Sequence, residues 1–392
     1  MLKYLILPIL VFSIESHSDD ERAYQHGINF VQRADDTWLL VWSSSGNPPT
    51  GQDKNSNWTH NIYYSLINTK FPVIQPQLLI SNREAQEPAS SAMTDTGYLM
   101  ITLEDGWNTK HNVAQRYGVY DAEMKPIKGY PQLIQDGGHS GHVAAVSNRF
   151  VVFYSDEWIH GGGVDNLGSG DDVIAKIYSD RGELKHTIPV SVGKESRDWW
   201  PLVAGASDGS SAMLVWQHFV DGETWSVLKM SMVDTETGIL IKKPQEISTK
   251  LQYYTYNVTY LSQLKRFLIT GTNSKGKGFA QLYSQKGELI TTLDALPPVM
   301  REAQIIHRVI GEQTTVVQAI EPTGIMVLSA TENKLTFVEK IEGTQKWSIA
   351  GSDGIFIDNE HLFLVGLSPL GLQQHSFKIR QTQTKTCLII CW

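Results

Sequence analysis

The sequence predicts an all-β protein, and three of its features support that class. The chain of 392 residues contains 11 Trp, 15 Tyr and 12 Phe, which favour strands, and 32 Gly, which suit tight turns. No 11-residue window keeps the 3.6-residue apolar period of an amphipathic helix. The third feature is a hairpin pattern that recurs along the chain, and this pattern determines the predicted architecture.

The recurring pattern is a polar or aromatic lead-in, an apolar strand, a short polar turn and a second, more hydrophobic strand. In chain order its seven copies are HGINFVQRADDTWLLVWSSSG from His26, EPASSAMTDTGYLMITLEDG from Glu87, SGHVAAVSNRFVVFYSD from Ser140, WWPLVAGASDGSSAMLVWQHF from Trp199, TYNVTYLSQLKRFLITGT from Thr255, AQIIHRVIGEQTTVVQAIE from Ala303 and WSIAGSDGIFIDNEHLFLVGLS from Trp347. The runs between copies, such as GFAQLYSQKGELI, carry a further strand pair and a glycine turn.

Two hairpins per unit give four strands per repeat of about 40 to 50 residues, which is typical of a propeller blade. The sequence therefore predicts a seven-bladed β-propeller of four-stranded antiparallel blades, closed by pairing between INFVQ near the start and HSFKIRQ near the end. A solenoid or a pair of β-sandwiches is the alternative. Neither would repeat one hairpin seven times.

The N-terminal segment MLKYLILPILVFSIESHSDD has a short basic start, an apolar stretch and then small or polar residues. This order is typical of a secretory signal peptide, with an uncleaved lipophilic anchor as the alternative. We expect a signal peptide over residues 1–18 and a single catalytic propeller domain over residues 19–392. The mature chain is expected to be secreted, extracellular or periplasmic, outside the membrane and monomeric.

The charge and cysteine content of the chain argue against a nucleic-acid partner and against a disulfide. The formal net charge of −8 and the lack of a Lys/Arg run argue against a nucleic-acid partner. Cys387 and Cys391 are the two cysteines of the chain, and four residues along a strand would hold them about 13 Å apart, too far for a disulfide. We interpret them as apolar filling.

In a propeller the first strands line a central channel, so the residues just before them converge on one rim. The lead-ins supply His, Arg and aromatic residues to that rim: His26, Arg83, His139, His142, Arg197, Trp199, Trp200, Tyr253 to Tyr256, Arg301 and Trp347. Arginine binds carboxylate or sulfate, aromatic faces suit sugar rings, and His and Tyr transfer protons. This set predicts an anionic polysaccharide substrate. The simpler interpretations are rim hydrogen bonds, Arg–carboxylate pairs and core aromatics.

One reaction uses all these groups, namely β-elimination at a uronic acid. A cation neutralises the carboxylate, a base removes the C5 proton, and an acid protonates the leaving glycosidic oxygen. Hydrolysis would instead need two carboxylates flanking the bond, and each rim acid here lies beside an Arg or Pro.

The stretches GGHSGHVAAVSNRFVVFYSDEW, GGGVDNLGSGDD and RDWWPLVAG resemble the secreted β-propeller polysaccharide lyases that degrade ulvan, a sulfated algal polysaccharide containing uronic acids. In that family His and Tyr transfer the protons and an Arg neutralises the carboxylate. The resemblance thus implies catalytic roles for His139, His142, Arg197 and Tyr254. The other predicted substrate-binding residues are Arg83, His160, Trp199, Trp200, His218, Tyr256 and Arg301.

No cofactor is expected for this chemistry. The glycine-rich stretch Gly161 to Asp172 is interpreted as a turn, with Asp165, Asp171 and Asp172 as weak ligands for a structural Ca²⁺. His139 and His142 lack a third zinc ligand in the sequence around them. Two other functions stay open: a non-catalytic glycan-binding propeller, and a sialidase-like hydrolase in which three arginines clamp a carboxylate.

Overall fold

The computed structural model describes residues 27–33, 37–44, 61–82, 87–106, 113–156, 172–193, 197–220, 222–348, 350–368 and 371–380. Within these ranges it contains 26 β-strands and one short 3-10 turn, Ser262–Leu264. The predicted all-β class is confirmed.

The first three sheets are antiparallel and have four strands each, in chain order. They comprise β1 (Ile28–Gln32), β2 (Thr37–Ser44), β3 (Asn61–Asn68) and β4 (Gln77–Ile80); β5 (Glu87–Met93), β6 (Leu99–Asp105), β7 (Ala114–Tyr120) and β8 (Pro126–Asp136); and β9 (His139–Val146), β10 (Arg149–Asp156), β11 (Asp172–Ser179) and β12 (Leu184–Ser191). The hairpins predicted at Glu87 and Ser140 correspond to β5–β6 and β9–β10.

The fourth sheet has seven strands because one long strand serves two neighbours. Its strands are β13 (Asp198–Gly205), β14 (Ser211–Phe219), β15 (Ser226–Asp234), β16 (Leu240–Leu261), β17 (Arg266–Asn273), β18 (Gly278–Ser284) and β19 (Leu289–Leu296). The part of β16 up to Leu251 pairs with β15, and the part from Tyr256 pairs with β17. Lys250 and Tyr254 have positive φ, so the strand bends between these two parts.

The last two sheets have four and three strands. They are β20 (Ile306–Ile310), β21 (Gln313–Ala319), β22 (Ile325–Ala330) and β23 (Leu335–Ile341), then β24 (Ser352–Phe356), β25 (His361–Ser368) and β26 (Gly371–Lys378). The predicted pairing of INFVQ with HSFKIRQ is not found among the described strands. INFVQ is β1 and pairs with β2, while the first four residues of the other segment form the second half of β26 and pair with β25.

The first strands of neighbouring sheets contact one another around an axial channel. β1 contacts β5, β5 contacts β9, β9 contacts β13, and β13 contacts β16; on the other side β20 contacts β24, which contacts β1. An apolar cluster that joins Ile28, Leu40 and Trp42 with Phe363 and Val365 fills the junction of the first and last sheets. Packing of side chains thus joins the two ends of the ring.

The second strands of the predicted hairpins have continuous apolar sequences because they are buried. β10 and β17 are buried over six consecutive residues because each lies between two neighbouring sheets. The outer strand β12 alternates exposed and buried residues near its end, as expected for a half-solvated strand. Fully burying each large apolar side chain contributes roughly 1.5–3 kcal/mol, so the inner hairpins carry most of the stability.

Candidate functional site

The first strands share a backbone feature at their starts. Non-glycine residues with φ between 53° and 60° occur early in β9 and β13, shortly before β20 and just before the part of β16 that pairs with β17; they are Ser140, Trp200, Glu302 and Tyr254. Gly27 and Gly351, with φ of 86° and 97°, occupy the same place before β1 and β24. The recurrence indicates that this left-handed residue belongs to the architecture of the ring, because strain made for one active site would not repeat.

Shortly after that position, polar side chains hydrogen-bond to neighbouring first strands in a network that we call the girdle. Its hydrogen bonds are Ser91 N to Asn29 Oδ1 (3.1 Å), Val143 N to Ser90 Oγ (3.1 Å), His142 Nδ1 to Pro201 O (2.9 Å), Asn257 Nδ2 to Ala303 O (3.0 Å) and Phe30 N to Asp353 Oδ2 (2.6 Å). The girdle gives these polar side chains a structural role in the fold.

His142 is a half-buried member of the girdle. Its Nδ1 lies 3.0 Å from Ser140 O and 2.9 Å from Pro201 O. Because carbonyl oxygens only accept hydrogen bonds, Nδ1 carries the proton in the neutral ring and Nε2 is the basic nitrogen. Ser140, which has a left-handed φ of 53°, lies between the two histidines, and β9 shifts its register against β10 there.

His139 is fully buried and packs on Trp199, with ring centres 4.9 Å apart. Its Nδ1 lies 3.1 Å from Ser140 Oγ. Burial lowers the pKa of His139 to about 3, so the ring stays neutral at ordinary pH. In this position His139 supports Trp199 and is shielded from a polymer.

A histidine–carboxylate pair lies at the adjacent hairpin. Asp198 and His218 are cross-strand partners of β13 and β14, and Asp198 Oδ1 lies 2.8 Å from His218 Nδ1. Asp198 is fully buried, whereas a quarter of the His218 side chain is exposed. Lys229 Nζ lies 3.9 Å from the same carboxylate oxygen. The carboxylate holds the proton on Nδ1, which leaves Nε2 of His218 as the basic nitrogen.

Five rings, Trp199, Trp200, Phe219, Tyr253 and Tyr254, form a continuous aromatic band beside this pair. Phe219 follows His218 and stacks on Tyr253, with ring centres 5.1 Å apart and an interplanar angle of 30°. Tyr254 contacts Tyr253 and Trp200. Trp200 contacts His142 in turn, with ring centres 5.2 Å apart. Most of the band is buried, and Tyr253 is its partly exposed member.

Arg301 is at the far end of the aromatic band. Its guanidinium lies 3.9 Å from the centre of the Tyr254 ring, and its Nε lies 3.0 Å from Glu302 Oε1. Tyr254 is almost fully buried under this contact. The predicted Arg–carboxylate pair is therefore present at Arg301, and it coexists with the cation–π contact.

Tyr256 and Arg197 are held by backbone hydrogen bonds. Tyr256 is almost fully buried, its hydroxyl donates to Trp200 O, and burial raises its pKa well above the usual value. Arg197 lies directly before β13, half-buried, and its carbonyl accepts from Phe219 N at 2.8 Å. Tyr256 thus braces the band, and Arg197 lies at the same end of the hairpin as His218.

The structure brings together nine of the predicted site residues. Trp199, Trp200 and Tyr254 belong to the band, and the residues beside it are His139, His142, Arg197, His218, Tyr256 and Arg301. Arg83, His160, Asp165 and Asp171 lie outside the described residues. Asp172 starts β11, and its Oδ1 accepts from Gly193 N at 2.9 Å. Among the described residues, no three His, Cys, Asp or Glu side chains cluster as metal ligands would.

Two features of this site have little signal in the sequence. They are the pairing of Asp198 with His218 and the stacking of Phe219 on Tyr253. Alternation along the hairpin is a weak signal for the Asp198–His218 pair, because the register shifts between Trp199 and Leu202. No sequence pattern marks the girdle, whose members are far apart in the chain.

No family model matches the chain, and no curated protein matches it. Solved structures do. The WD40 domain of Toxoplasma gondii coronin is 7% identical, with a TM-score of 0.55, covering 92% of this chain and 86% of that one. A chain of the mitotic checkpoint complex is 12% identical, with a TM-score of 0.53, covering 92% and 91%. An ulvan lyase structure is 11% identical, with a TM-score of 0.48, covering 80% and 81%.

The first two similarities, at such low identity, concern the fold alone. WD40 domains are β-propellers, and the chain therefore has a β-propeller scaffold. In the described part of the chain no helix has the length and apolar character needed to span a membrane.

Proposed function

We propose that the chain is a secreted polysaccharide lyase that cleaves a sulfated, uronate-containing polymer of the ulvan type by β-elimination. The observation that carries the proposal is the Asp198–His218 pair beside the aromatic band, because it is built as a proton acceptor. The buried carboxylate orients the imidazole and stabilises the imidazolium that forms. Tyr253, the partly exposed ring of the band, and Arg301 supply the aromatic and cationic surface for an anionic sugar.

The proposal includes the finer architecture. We infer a single domain over residues 19–392, following a signal peptide, with seven blades in which the seven-stranded sheet counts as two. In that count β16 serves as the outer strand of one blade through Leu251 and as the inner strand of the next from Tyr256, in agreement with its two pairing partners. The mature chain acts as a monomer.

In the proposed reaction, His218 Nε2 takes the C5 proton of the uronate. The electrons of the C5–H bond form the C4=C5 double bond, and the bond from C4 to the glycosidic oxygen breaks. Arg197 or Arg301 neutralises the carboxylate, which makes the C5 proton acidic enough to remove. This assignment moves the base from His139 and His142, which support the band and the girdle, to His218.

Tyr253 is the proposed acid that protonates the leaving oxygen. It is the partly exposed ring of the band, and its hydroxyl donates to Glu223 O at 3.3 Å. Burial, with Glu223 nearby, raises the pKa of Tyr253 above its usual value, so the hydroxyl is protonated and able to donate. Tyr256, which the sequence grouped with it, has its hydroxyl engaged with Trp200 O.

The direct test is incubation of the purified chain with a panel of uronate and neutral polysaccharides, followed by ultraviolet absorbance and mass analysis of the products. Elimination yields a conjugated, unsaturated uronate at the new non-reducing end, which absorbs in the ultraviolet. Hydrolysis yields saturated ends with added water, and a binding protein yields no products. Saturated ends, or retention on the polymer without cleavage, would contradict the proposal.

A further inference from the structure

The axial channel widens into a cavity of about 340 Å³ inside the ring. Its wall includes Asn29, Ser91, Asn257, Gln304, His307 and Asp353, which come from the first strands or the residues just before them. This volume lies in the range of about 300–1,000 Å³ that is usual for small-molecule sites. The proposed lyase reaction does not use this cavity.

The girdle separates the channel cavity from the aromatic band. A smaller space of about 20 Å³, lined by Gly27, Trp200, Tyr256 and Glu302, lies towards the starts of the first strands. The two spaces share the girdle residues Asn29, His142 and Asn257. A space of that size holds about one water molecule. A ligand in the channel therefore occupies a site distinct from the band.

Amide and hydroxyl groups dominate the polar lining of the channel cavity. No Lys or Arg is among the described residues that line it, and Asp353 is the one carboxylate there. Asp353 already accepts from Phe30 N at 2.6 Å and from Gly354 N at 2.7 Å. This arrangement disfavours an anion, and the two backbone donors reduce the pull of the carboxylate on a cation.

One hydroxyl in the wall needs a partner. Ser91 is 8% exposed, and its Oγ is buried with no hydrogen-bond partner among the described residues. Rotation of the Ser91 side chain toward the channel lets a ligand or ordered water bond to this hydroxyl, which removes the cost of leaving it without a partner. Trp38 and Phe30 add aromatic surface to the same cavity.

We propose that this channel is a second binding site, for one neutral polyhydroxylated molecule of monosaccharide size. The hydroxyls of such a ligand both donate and accept, which matches the amides, Ser91 and Asp353. Its apolar ring face suits Trp38 or Phe30. The site goes beyond the lyase proposal and does not depend on it, because binding here requires no cleavage at the rim.

Calorimetric titration of the full chain with neutral hexoses and deoxyhexoses tests the proposal, with glucuronate and Ca²⁺ as charged probes. We expect at least one neutral sugar to bind with a Kd on the order of 1 mM, which corresponds to about −4.1 kcal/mol. Ser91→Ala is expected to weaken that binding about 3- to 10-fold, the value of one hydrogen bond. Val203→Phe, which fills the channel wall, is expected to abolish it.

The matched control is Ser226→Ala, since the Ser226 hydroxyl is also buried without a partner among the described residues but does not line the channel. It should leave sugar binding unchanged. No heat with any neutral sugar, tighter binding of glucuronate or Ca²⁺, or equal binding by Ser91→Ala would overturn the proposal. Lyase assays on the same preparations report separately on the rim, so failure of one proposal is distinct from failure of the other.

Discussion

At the scale of single residues, three histidines with similar sequence surroundings differ in their burial and hydrogen-bond partners. His139 is buried and neutral, His142 is tied to two carbonyl oxygens, and His218 is partly exposed and oriented by a buried carboxylate. Only the last arrangement combines access with a carboxylate that stabilises the protonated ring. The assignment of proton transfer therefore depends on partners and exposure, which residue type does not reveal.

Replacing His142 by Ala tests its structural role. We expect the free energy of unfolding to fall by about 1–3 kcal/mol, because the carbonyls of Ser140 and Pro201 lose their donor. The kcat for uronate polymers should fall less than tenfold, a loss of under about 1.4 kcal/mol of transition-state stabilisation. Denaturant unfolding and initial rates measure the two effects. A loss of kcat by a hundredfold or more, with unchanged stability, would assign the base to His142.

Replacing Asp198 by Asn tests the orientation of His218. An amide that presents its nitrogen to Nδ1 disfavours the required tautomer and cannot stabilise the imidazolium. We expect kcat to fall roughly 10²- to 10⁴-fold with little change in KM, as for lost general base catalysis. Steady-state kinetics on the preferred polymer checks this. Full activity in Asp198→Asn would show that the carboxylate only packs.

At the scale of elements, the hairpin pattern predicts most of the strands but not the irregularities in their pairing. Alternation and turn residues placed β9–β10, β13–β14 and β24–β25 close to where they lie. If the register at Gly205 and Ala212 continued without interruption, Asp198 would pair with Phe219. At the bulge, Trp200 and Pro201 lie opposite a single residue of β14, so Asp198 pairs with His218 instead. A one-residue bulge has no periodic signal, so the pairing of Asp198 with His218 could not be predicted from the sequence.

The start of β1 gives a prediction about the left-handed position of the ring. A Cβ added to Gly27, with φ of 86°, would lie 2.4 Å from Ala89 N. Gly97 has a similar φ of 83° with nothing within 4 Å, so it is the matched control. Gly97→Ala should cost about 1–2 kcal/mol from backbone strain alone, and Gly27→Ala distinctly more. Chemical denaturation measures both, and equal losses would contradict the close approach of β1 to β5.

At the scale of the whole molecule, the ring joins its ends through side chains: the apolar cluster at Trp42 and Phe363, and the carboxylate of Asp353 on Phe30 N. The sequence predicted a closed ring of repeats, with the ring closed by pairing between a strand near the start and a strand near the end of the chain. Closure through packing has no local sequence signature, since its partners are 323 residues apart at that hydrogen bond.

The closure makes stability depend on pH in a defined direction. Burial raises the pKa of Asp353 from 3.8 to about 7, so the folded chain binds this proton more tightly than the unfolded chain. The contribution of Asp353 is therefore fully present below the unfolded pKa of 3.8 and is lost as pH rises towards 7. Denaturation of wild type and Asp353→Asn across this range should show wild type losing stability relative to the variant. A constant difference would contradict the assignment.

A comparison of two histidines tests whether His218 removes the C5 proton during elimination. His361 also contacts a carboxylate, with Nδ1 2.9 Å from Asp358 Oδ2, but this exposed pair lies on the last sheet, away from the band. The measurement is kcat for unsaturated-uronate formation by His218→Asn and His361→Asn. We predict a fall of roughly 10²- to 10⁴-fold for the first and no change for the second. Full activity in His218→Asn, or equal losses in both variants, would contradict the role of His218 as the base.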